Sequence, residues 1–438
     1  MENSRNSPFT EWRLIPVRVA DSLRGCAEEG QRIVVAYSGG LDSTVLLHAA
    51  MTASGPLGLR LEAFHVNHEL SPNAGAWEEQ CAATCRRWGI PLRIGKVSVN
   101  RRSPSGLEGE ARSVRYAMLD SAGADRVLLA HHADDQAETL LLNLLRGAGV
   151  HGMSGMAWQR GPYLRPLLPF RRAAIEAYAR EHGLDWVDDE SNADPMFGRN
   201  FIRHHVLPVM EERFPAVRNL ARAAVAHGEA AALLDDLARI DGGDRYPLPL
   251  GALAVLEPRR AANLLAYAVR KHCGAVAGRR RLLEILRQLL VAGDDRQPAG
   301  RIGRFEIRRF HGGVWFVNPA DVPESHPWNG PSEIAWGDLQ IRSQDRRGQG
   351  VARHRLTAPV CFKRRRGGER FKIDPRSARR PVKDFLREAG VPPWWRDKWP
   401  LMYCGDQLVW VPAVGVAAEF RCEPEEEGLE LELHGANW

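Results

Sequence analysis

The hexapeptide Ser38-Gly39-Gly40-Leu41-Asp42-Ser43 constrains the fold of this chain more than any other stretch of it. It follows the β-branched run Arg32-Ile33-Val34-Val35-Ala36-Tyr37 and precedes the apolar, helix-like Thr44-Val45-Leu46-Leu47-His48-Ala49-Ala50. Strand, glycine turn and helix in that order make a βα unit whose helix start presents unpaired backbone N–H groups to an anion. Glycine lets the backbone approach a phosphate with no Cβ in the way, and the Ser38 and Ser43 hydroxyls add donors. The Gly-Lys-Ser/Thr ending of a Walker A loop, whose lysine serves β/γ-phosphate transfer, is absent. Asp42 stands there instead, a carboxylate suited to hold Mg²⁺ beside a pyrophosphate while an α-phosphate is attacked. The competing reading is a Gly-Gly turn with Asp42 or Ser43 capping the helix; the whole hexapeptide in this context favours nucleotide binding.

The same rhythm continues. Strands are expected at 59–66, 92–97 and 126–130, and helices at 74–88, 107–122 and 135–146, which predicts an α/β fold with a parallel sheet covered on both faces. Gly147, Gly149, Gly152 and Gly155 then read as a glycine-rich loop. Helical spacing dominates 216–292, strand-like residues follow at 301–317, and Arg346–Gly350 reads as a linker. At 438 residues the chain is long enough for about three domains, expected at 1–215, 216–345 (mostly helical) and 351–438 (small, α+β). No apolar run reaches the ~18 residues needed to span a bilayer. MENSRNSPFTEW has no apolar h-region, and seven cysteines are scattered along the chain. A cytoplasmic protein with no membrane partner is therefore expected.

A second cluster, His131-His132-Ala133-Asp134-Asp135-Gln136-Ala137-Glu138-Thr139, ends a predicted strand. In a doubly wound sheet that position faces the ligand crevice. Asp135 and Glu138 share a helix face and suit a cationic amino group, although an N-cap and capping-box role accounts for the same spacing. The paired histidines lack the neighbouring Cys-x-x-Cys that would argue for zinc.

These residues resemble the phosphate loop of the ATP-pyrophosphatase (PP-loop) superfamily, and His131–Thr139 is similar to the HHxDDQAET signature of the tRNA(Ile)-lysidine synthetase family. Further matches are His65-Val66-Asn67-His68, Glu110–Tyr116, Arg146–Gly149, Arg165–Leu168, Asp189–Asn192, Arg199–Arg203, Arg366–Arg370, Pro381–Lys383 and Val391–Trp394. Glu69 and Ala378 depart from the pattern, each where glycine is common. The resemblance implies an adenine nucleotide alpha hydrolase-like catalytic domain that uses ATP and Mg²⁺. The C2 oxygen of the wobble cytidine in a minor tRNA(Ile) with a CAU anticodon attacks the α-phosphate. The ε-amino group of L-lysine then displaces AMP, so that decoding changes from AUG to AUA and charging from methionine to isoleucine. It further implies that Ser38, Gly39, Gly40, Leu41, Asp42 and Ser43 cradle ATP, with Asp42 on Mg²⁺. Arg112 would offset charge on the adenylate, its competing reading being an exposed helix arginine, while Asp135 and Glu138 would hold lysine. Asp42, Arg112 and Asp135 are thus the catalytic candidates, and a homodimer is possible.

The segment Lys363–Arg380 carries nine Lys/Arg against two Asp/Glu, a local charge of +7 where the whole chain has +6. Beside Trp394, Trp395, Trp399 and Trp410, such a cluster suits RNA, although a core role is the readier reading for the tryptophans. Arg199, Arg203, Arg366 and Arg370 are the candidate tRNA contacts. A tRNA thiolase sharing the loop is the rival enzyme, with Cys81 and Cys85 as its closest cysteine pair. A non-catalytic RNA-binding scaffold and a small-molecule ligase are more distant rivals.

Overall fold

A computed structural model describes residues 11–68, 71, 73–98, 103, 106–187, 198–291, 299–318, 321–330 and 333–435. Glu69 and the Asp189–Asn192 motif lie outside the described residues. The chain divides into two compact units, Met1–Leu234 and Asp235–Trp438.

The first unit is built on a six-stranded sheet. Strands β1 (Arg32–Ala36), β2 (Arg60–Asn67), β3 (Leu92–Lys96), β4 (Arg126–Leu128) and β6 (Tyr163–Leu164) run parallel, and β5 (Gln159–Arg160) closes one edge antiparallel; the order is β3-β2-β1-β4-β6-β5. Ile33 and Val35 pack with helices α1 (Ile15–Cys26) and α2 (Leu41–Ser54), while Val34 points to the other face with Phe64, Leu119 and Val127. Burial on both faces explains why β1 is apolar throughout rather than alternating. Helix α2 is buried on nearly every side, which matches its run of apolar residues. The expected helices at 74–88, 107–122 and 135–146 are α3 (Ala74–Trp88), α4 (Gly106–Ser121) and α5 (Ala133–Leu145). Strand order reverses between β1 and β4, so the loops leaving those two strands bound a crevice. The hexapeptide follows β1 and the paired histidines follow β4.

The second unit has two cores. One packs helices Pro258–Cys273 and Arg279–Val291 on an antiparallel sheet of β7 (Leu248–Pro249), β8 (Ala299–Ile302), β9 (Phe305–Phe310) and β10 (Gly313–Val317), in the order β7-β10-β9-β8. The other gathers Trp336, Phe362, Phe371, Trp399 and Trp410. It is enclosed by two further sheets that draw on strands from Ser325 to His434. Trp399 and Trp410 are buried as core residues, whereas Trp394 and Trp395 are only half-buried.

The segment Arg346–Gly350 is not a linker. Arg346 and Arg347 end a strand, Leu339–Arg347, that pairs antiparallel with Glu427–His434, Arg346 opposite Gly428 and Arg347 opposite Glu427. Gly348 and Gly350 follow with φ of +73° and +77°, and a Cβ on Gly350 would sit 1.9 Å from the Leu429 carbonyl oxygen. These glycines serve a tight corner in which backbones nearly touch, and the C-terminal fold takes in strands that the sequence assigned to the middle domain. No helix among the described residues is long and apolar enough to cross a membrane. Limited trypsin digestion of the native chain is expected to spare Arg346 and Arg347, because their backbone is held in a ladder; early cleavage there would restore the linker reading.

Candidate active site

The phosphate loop is cinched from within. Ser43 Oγ lies 3.0 Å from Ser38 Oγ and donates to the Gly40 carbonyl at 3.0 Å, while the Ser38 amide donates to Ser43 Oγ at 3.2 Å. Thr44 Oγ1 donates to the Gly40 carbonyl at 3.0 Å, and the Val187 amide to that of Gly39 at 2.9 Å. Gly39 has φ of +84°, and a Cβ there would meet Cys81 Sγ at 2.8 Å, so glycine is required on two counts. Gly40 is the N-cap of α2 in extended backbone, which leaves the first amides of that helix facing the crevice. His65 holds the entry to the loop through Nδ1, 3.0 Å from the Tyr37 carbonyl oxygen.

The second cluster is a network of buried charges. His132, rather than an aspartate, caps α5, and its amide donates to Asp135 Oδ2 at 3.0 Å; Asp135 and not Glu138 completes the capping box, so the competing reading holds for the motif but not for the residues it named. The ring then reaches three carboxylates: Nε2 lies 3.6 Å from both Asp42 Oδ2 and Asp135 Oδ2, and Nδ1 lies 3.5 Å from Asp134 Oδ2. Burial alone would lower the His132 pKa, but these acids, Asp135 foremost, outweigh it and push it up to about 10. Its neighbour His131 goes the other way. Burial, with Arg165, Arg115 and Arg199 adding to it against the pull of Asp135, brings it down to about 3, and Nδ1 has no partner among the described residues. The two imidazoles are thus driven in opposite directions, and the Asp134 amide approaches His132 Nδ1 at 3.3 Å with that nitrogen as the helix-capping acceptor.

Asp135 and Glu138 do share a face, and both are already paired. Glu138, fully buried, accepts from Arg199 Nε at 2.6 Å and Arg203 Nε at 2.5 Å; Asp135 Oδ1 accepts from Arg199 Nη2 at 3.0 Å and Arg203 Nη2 at 3.2 Å. Burial raises the Asp135 pKa, but His132 and Arg199 offset this and hold it far below the usual carboxylate range. The residues named as lysine contacts and two of those named as tRNA contacts thus form one neutral foursome. Gln136, inside the same motif, clamps the glycine-rich loop: Nε2 donates to the Met156 carbonyl at 3.0 Å and Oε1 accepts from the Met156 amide at 2.7 Å.

Between the two clusters lies a cavity of about 420 Å³ with Phe64, Val66 and Leu129 in its wall and Ser38, Asp42 and Arg203 at its polar side. Arg115 lines it, half-buried, with its Nε shut off from solvent and unpartnered among the described residues. Arg112 does not; it is exposed, its guanidinium 5.3 Å from the Tyr116 ring centroid. His68, which the sequence placed in a matching motif without a role, and Arg172, which it did not single out, also line the cavity, and Arg172 Nη1 comes within 3.7 Å of Asp42 Oδ2. Cys81 and Cys85 are buried, and burial pushes their thiols up to about 12 and about 11, unsuited to sulfur transfer.

In the second unit much of the concentrated positive charge is balanced from elsewhere. Arg364 pairs with Glu324, Arg365 with Asp397, Arg379 with Glu419 and Arg380 with Glu388. Arg366 remains largely exposed, 3.9 Å from Glu324, and Arg370 donates to the Arg379 carbonyl at 2.6 Å.

Three family models match the chain: a PP-loop domain over residues 17–210, a TilS substrate binding domain over 248–315 and a TilS substrate C-terminal domain over 360–433. The chain is 40% identical over 430 residues to the tRNA(Ile)-lysidine synthase of Nitrosomonas europaea, covering 94% of each. It is 39% identical over 424 residues to that of Azoarcus sp., covering 94% of this chain and 93% of the relative. Among solved structures, the U34-tRNA thiolase NcsA from Methanococcus maripaludis aligns at 14% identity and a TM-score of 0.42, over 48% of this chain and 76% of that one.

The upward shift at His132 makes a stability prediction. A pKa raised from 6.5 to about 10 contributes stability that is complete below pH 6.5 and lost as the pH rises through 10. His132→Gln, which strips three carboxylates of a shared cation, is expected to cost about 3 kcal/mol at pH 6. The gap in melting temperature to wild type should narrow steadily between pH 7 and 10. A gap that does not change with pH would show the ring to be neutral.

Proposed function

The chain belongs to the tRNA(Ile)-lysidine synthase family, and from that premise we propose that it joins L-lysine to C2 of the wobble cytidine of a tRNA(Ile) with a CAU anticodon, using ATP. The observation that carries this reading is the meeting, at one switch point, of a phosphate loop and a buried carboxylate pair linked through His132 to Asp42. Nucleoside analysis of tRNA incubated with ATP and labelled lysine tests it. Lysidine is expected together with equal amounts of AMP and pyrophosphate; AMP formed with no label in the tRNA would contradict it.

In the first step the amides of Gly40–Ser43 receive the phosphates, where the partial positive charge of the α2 N-terminus stabilises them. The apolar wall of Phe64, Val66 and Leu129 suits the adenine ring. Asp42 Oδ1 is buried and has no hydrogen-bond partner among the described residues, and a hard divalent cation fits such an oxygen. Asp42 would hold Mg²⁺, which when bound neutralises the phosphate charge. The role foreseen for Arg112 passes to Arg115. Its cation lies in the cavity wall, where it offsets negative charge as the cytidine oxygen attacks the α-phosphate.

In the second step Asp135 and Glu138 hold lysine so that its ε-amino group is aimed at C2. Arg199 and Arg203 occupy these carboxylates, so the amino acid has to take over bonds that the arginines now make. Phosphates of the tRNA offer the arginines replacement anions, which reconciles the two roles: substrate RNA draws off the guanidiniums and lysine replaces them. Arg366 and Arg370 act farther along the tRNA as phosphate contacts.

Asp42→Asn is expected to lower tRNA-dependent pyrophosphate release about 100-fold. Glu138→Gln should leave that release within about threefold of wild type and raise the KM for lysine at least ~10-fold, the loss of one charge-assisted bond; an unchanged lysine KM would remove Glu138 from the lysine site. Arg366→Ala combined with Arg370→Ala is expected to weaken tRNA binding and flatten its salt dependence by about two phosphate contacts. Filter binding across a salt series reads both quantities, and a wild-type slope would reject these contacts.

A further inference from the structure

The second unit holds a cavity of about 530 Å³ that the catalytic reading leaves unused. It opens between β9 and β10 on one side and the segment Pro393–Lys398 on the other, and five rings line it: Tyr246, Trp315, Phe316, Trp394 and Trp395. Tyr246 and Trp315 meet at 5.5 Å with planes 77° apart, and Trp315 and Trp394 at 5.9 Å with planes 54° apart. Such tilted pairs are favourable; Arg308 stands over one face of Trp394 and His272 lies 4.8 Å from the Tyr246 ring, so the faces left to a guest are the opposite ones. Trp399 and Trp410 are sealed in the core, but Tyr246 is 46% exposed.

The polar lining decides what kind of guest fits. Arg308 lies 5.8 Å from the Trp394 ring centroid, and its guanidinium is tied to Glu306 at 2.6 and 2.9 Å. Of the lining carboxylates, Glu306 is held by Arg301 and Arg308 and Asp397 by Arg365, which leaves Asp338 without an ion-pair partner among the described residues. A planar ring with N–H donors on its edge is matched on both counts, by aromatic faces and by carboxylate acceptors, which is the chemistry of base recognition in unpaired RNA. The volume falls in the range of small-ligand sites.

We infer that this cavity receives one unpaired base of the bound tRNA, stacked on the Tyr246–Trp315–Trp394 wall with its amino edge toward the carboxylates. The inference rests on the proposed function, because it needs tRNA as the substrate, and adds a neutral contact to the phosphate contacts of Arg366 and Arg370.

The test is chemical footprinting of a tRNA transcript on the full chain with a reagent for unpaired bases, alongside binding measured over a salt series. Trp394→Ala and Tyr246→Ala are each expected to raise the Kd for tRNA about tenfold, the loss of one stacked base. The slope of log Kd against log salt stays at the wild-type value, since no phosphate contact is lost. One base shielded by wild type becomes reactive again, and Trp394→Phe keeps most of the affinity. Should Trp394→Ala not fold by circular dichroism, Tyr246→Ala decides alone. Wild-type affinity in the folded variants, or weaker binding with a flatter slope and no single base re-exposed, overturns the inference while leaving the proposed function standing. A wild-type chain that neither binds nor modifies tRNA overturns the proposed function and this inference with it.

Discussion

Four charged groups meet inside the catalytic unit: Asp135 and Glu138 from one helix, Arg199 and Arg203 from a segment more than sixty residues later. None would be tolerated there singly, because an uncompensated buried charge costs several kcal/mol; together they are neutral and every carboxylate oxygen engaged has a donor. His132 extends the arrangement to Asp42 at the phosphate loop. The architecture follows from satisfying these groups: β4 must end where β1 ends, α5 must start on a histidine, and residues 199–203 must return to the crevice.

The arrangement also sorts the chemistry. Adjacent histidines on one loop are driven in opposite directions, His131 down by burial among three arginines and His132 up by three acids. The His132 ring ties Asp42 at the phosphate loop to Asp135 on α5. Arg199 and Arg203 also fix the orientation of Asp135 and Glu138. In the C-terminal fold, Glu324, Asp397, Glu419 and Glu388 balance four arginines of the basic segment.

Much of this was legible in the sequence because it is local. Strand, glycine turn and helix around Ser38–Ser43 are consecutive, Gly39 is fixed by its own backbone conformation, and the apolar rhythm of β1 to β4 follows from burial on two faces. What could not be read depends on distant neighbours. The return of Arg199 and Arg203 onto Asp135 and Glu138 has no local signature, and neither has the choice of Arg115 over Arg112, two arginines three apart on one helix. Arg346–Gly350 has the composition of a linker but the geometry of a corner, since glycine serves close backbone approach as well as flexibility. The +7 of Lys363–Arg380 counted only its own residues, and its balancing acids come largely from outside that segment.

The central claim is that the two carboxylates and two arginines act as one unit. A double-mutant cycle on Glu138→Gln and Arg203→Gln, measured as the unfolding free energy of the full chain, tests it most directly. Each single change should cost about 3 kcal/mol or more by stranding a buried charge. The double variant, which removes one charge of each sign, should cost less than the sum by at least about 2 kcal/mol. Additive losses would contradict the account, because they would mean that the pair contributes nothing that depends on both partners.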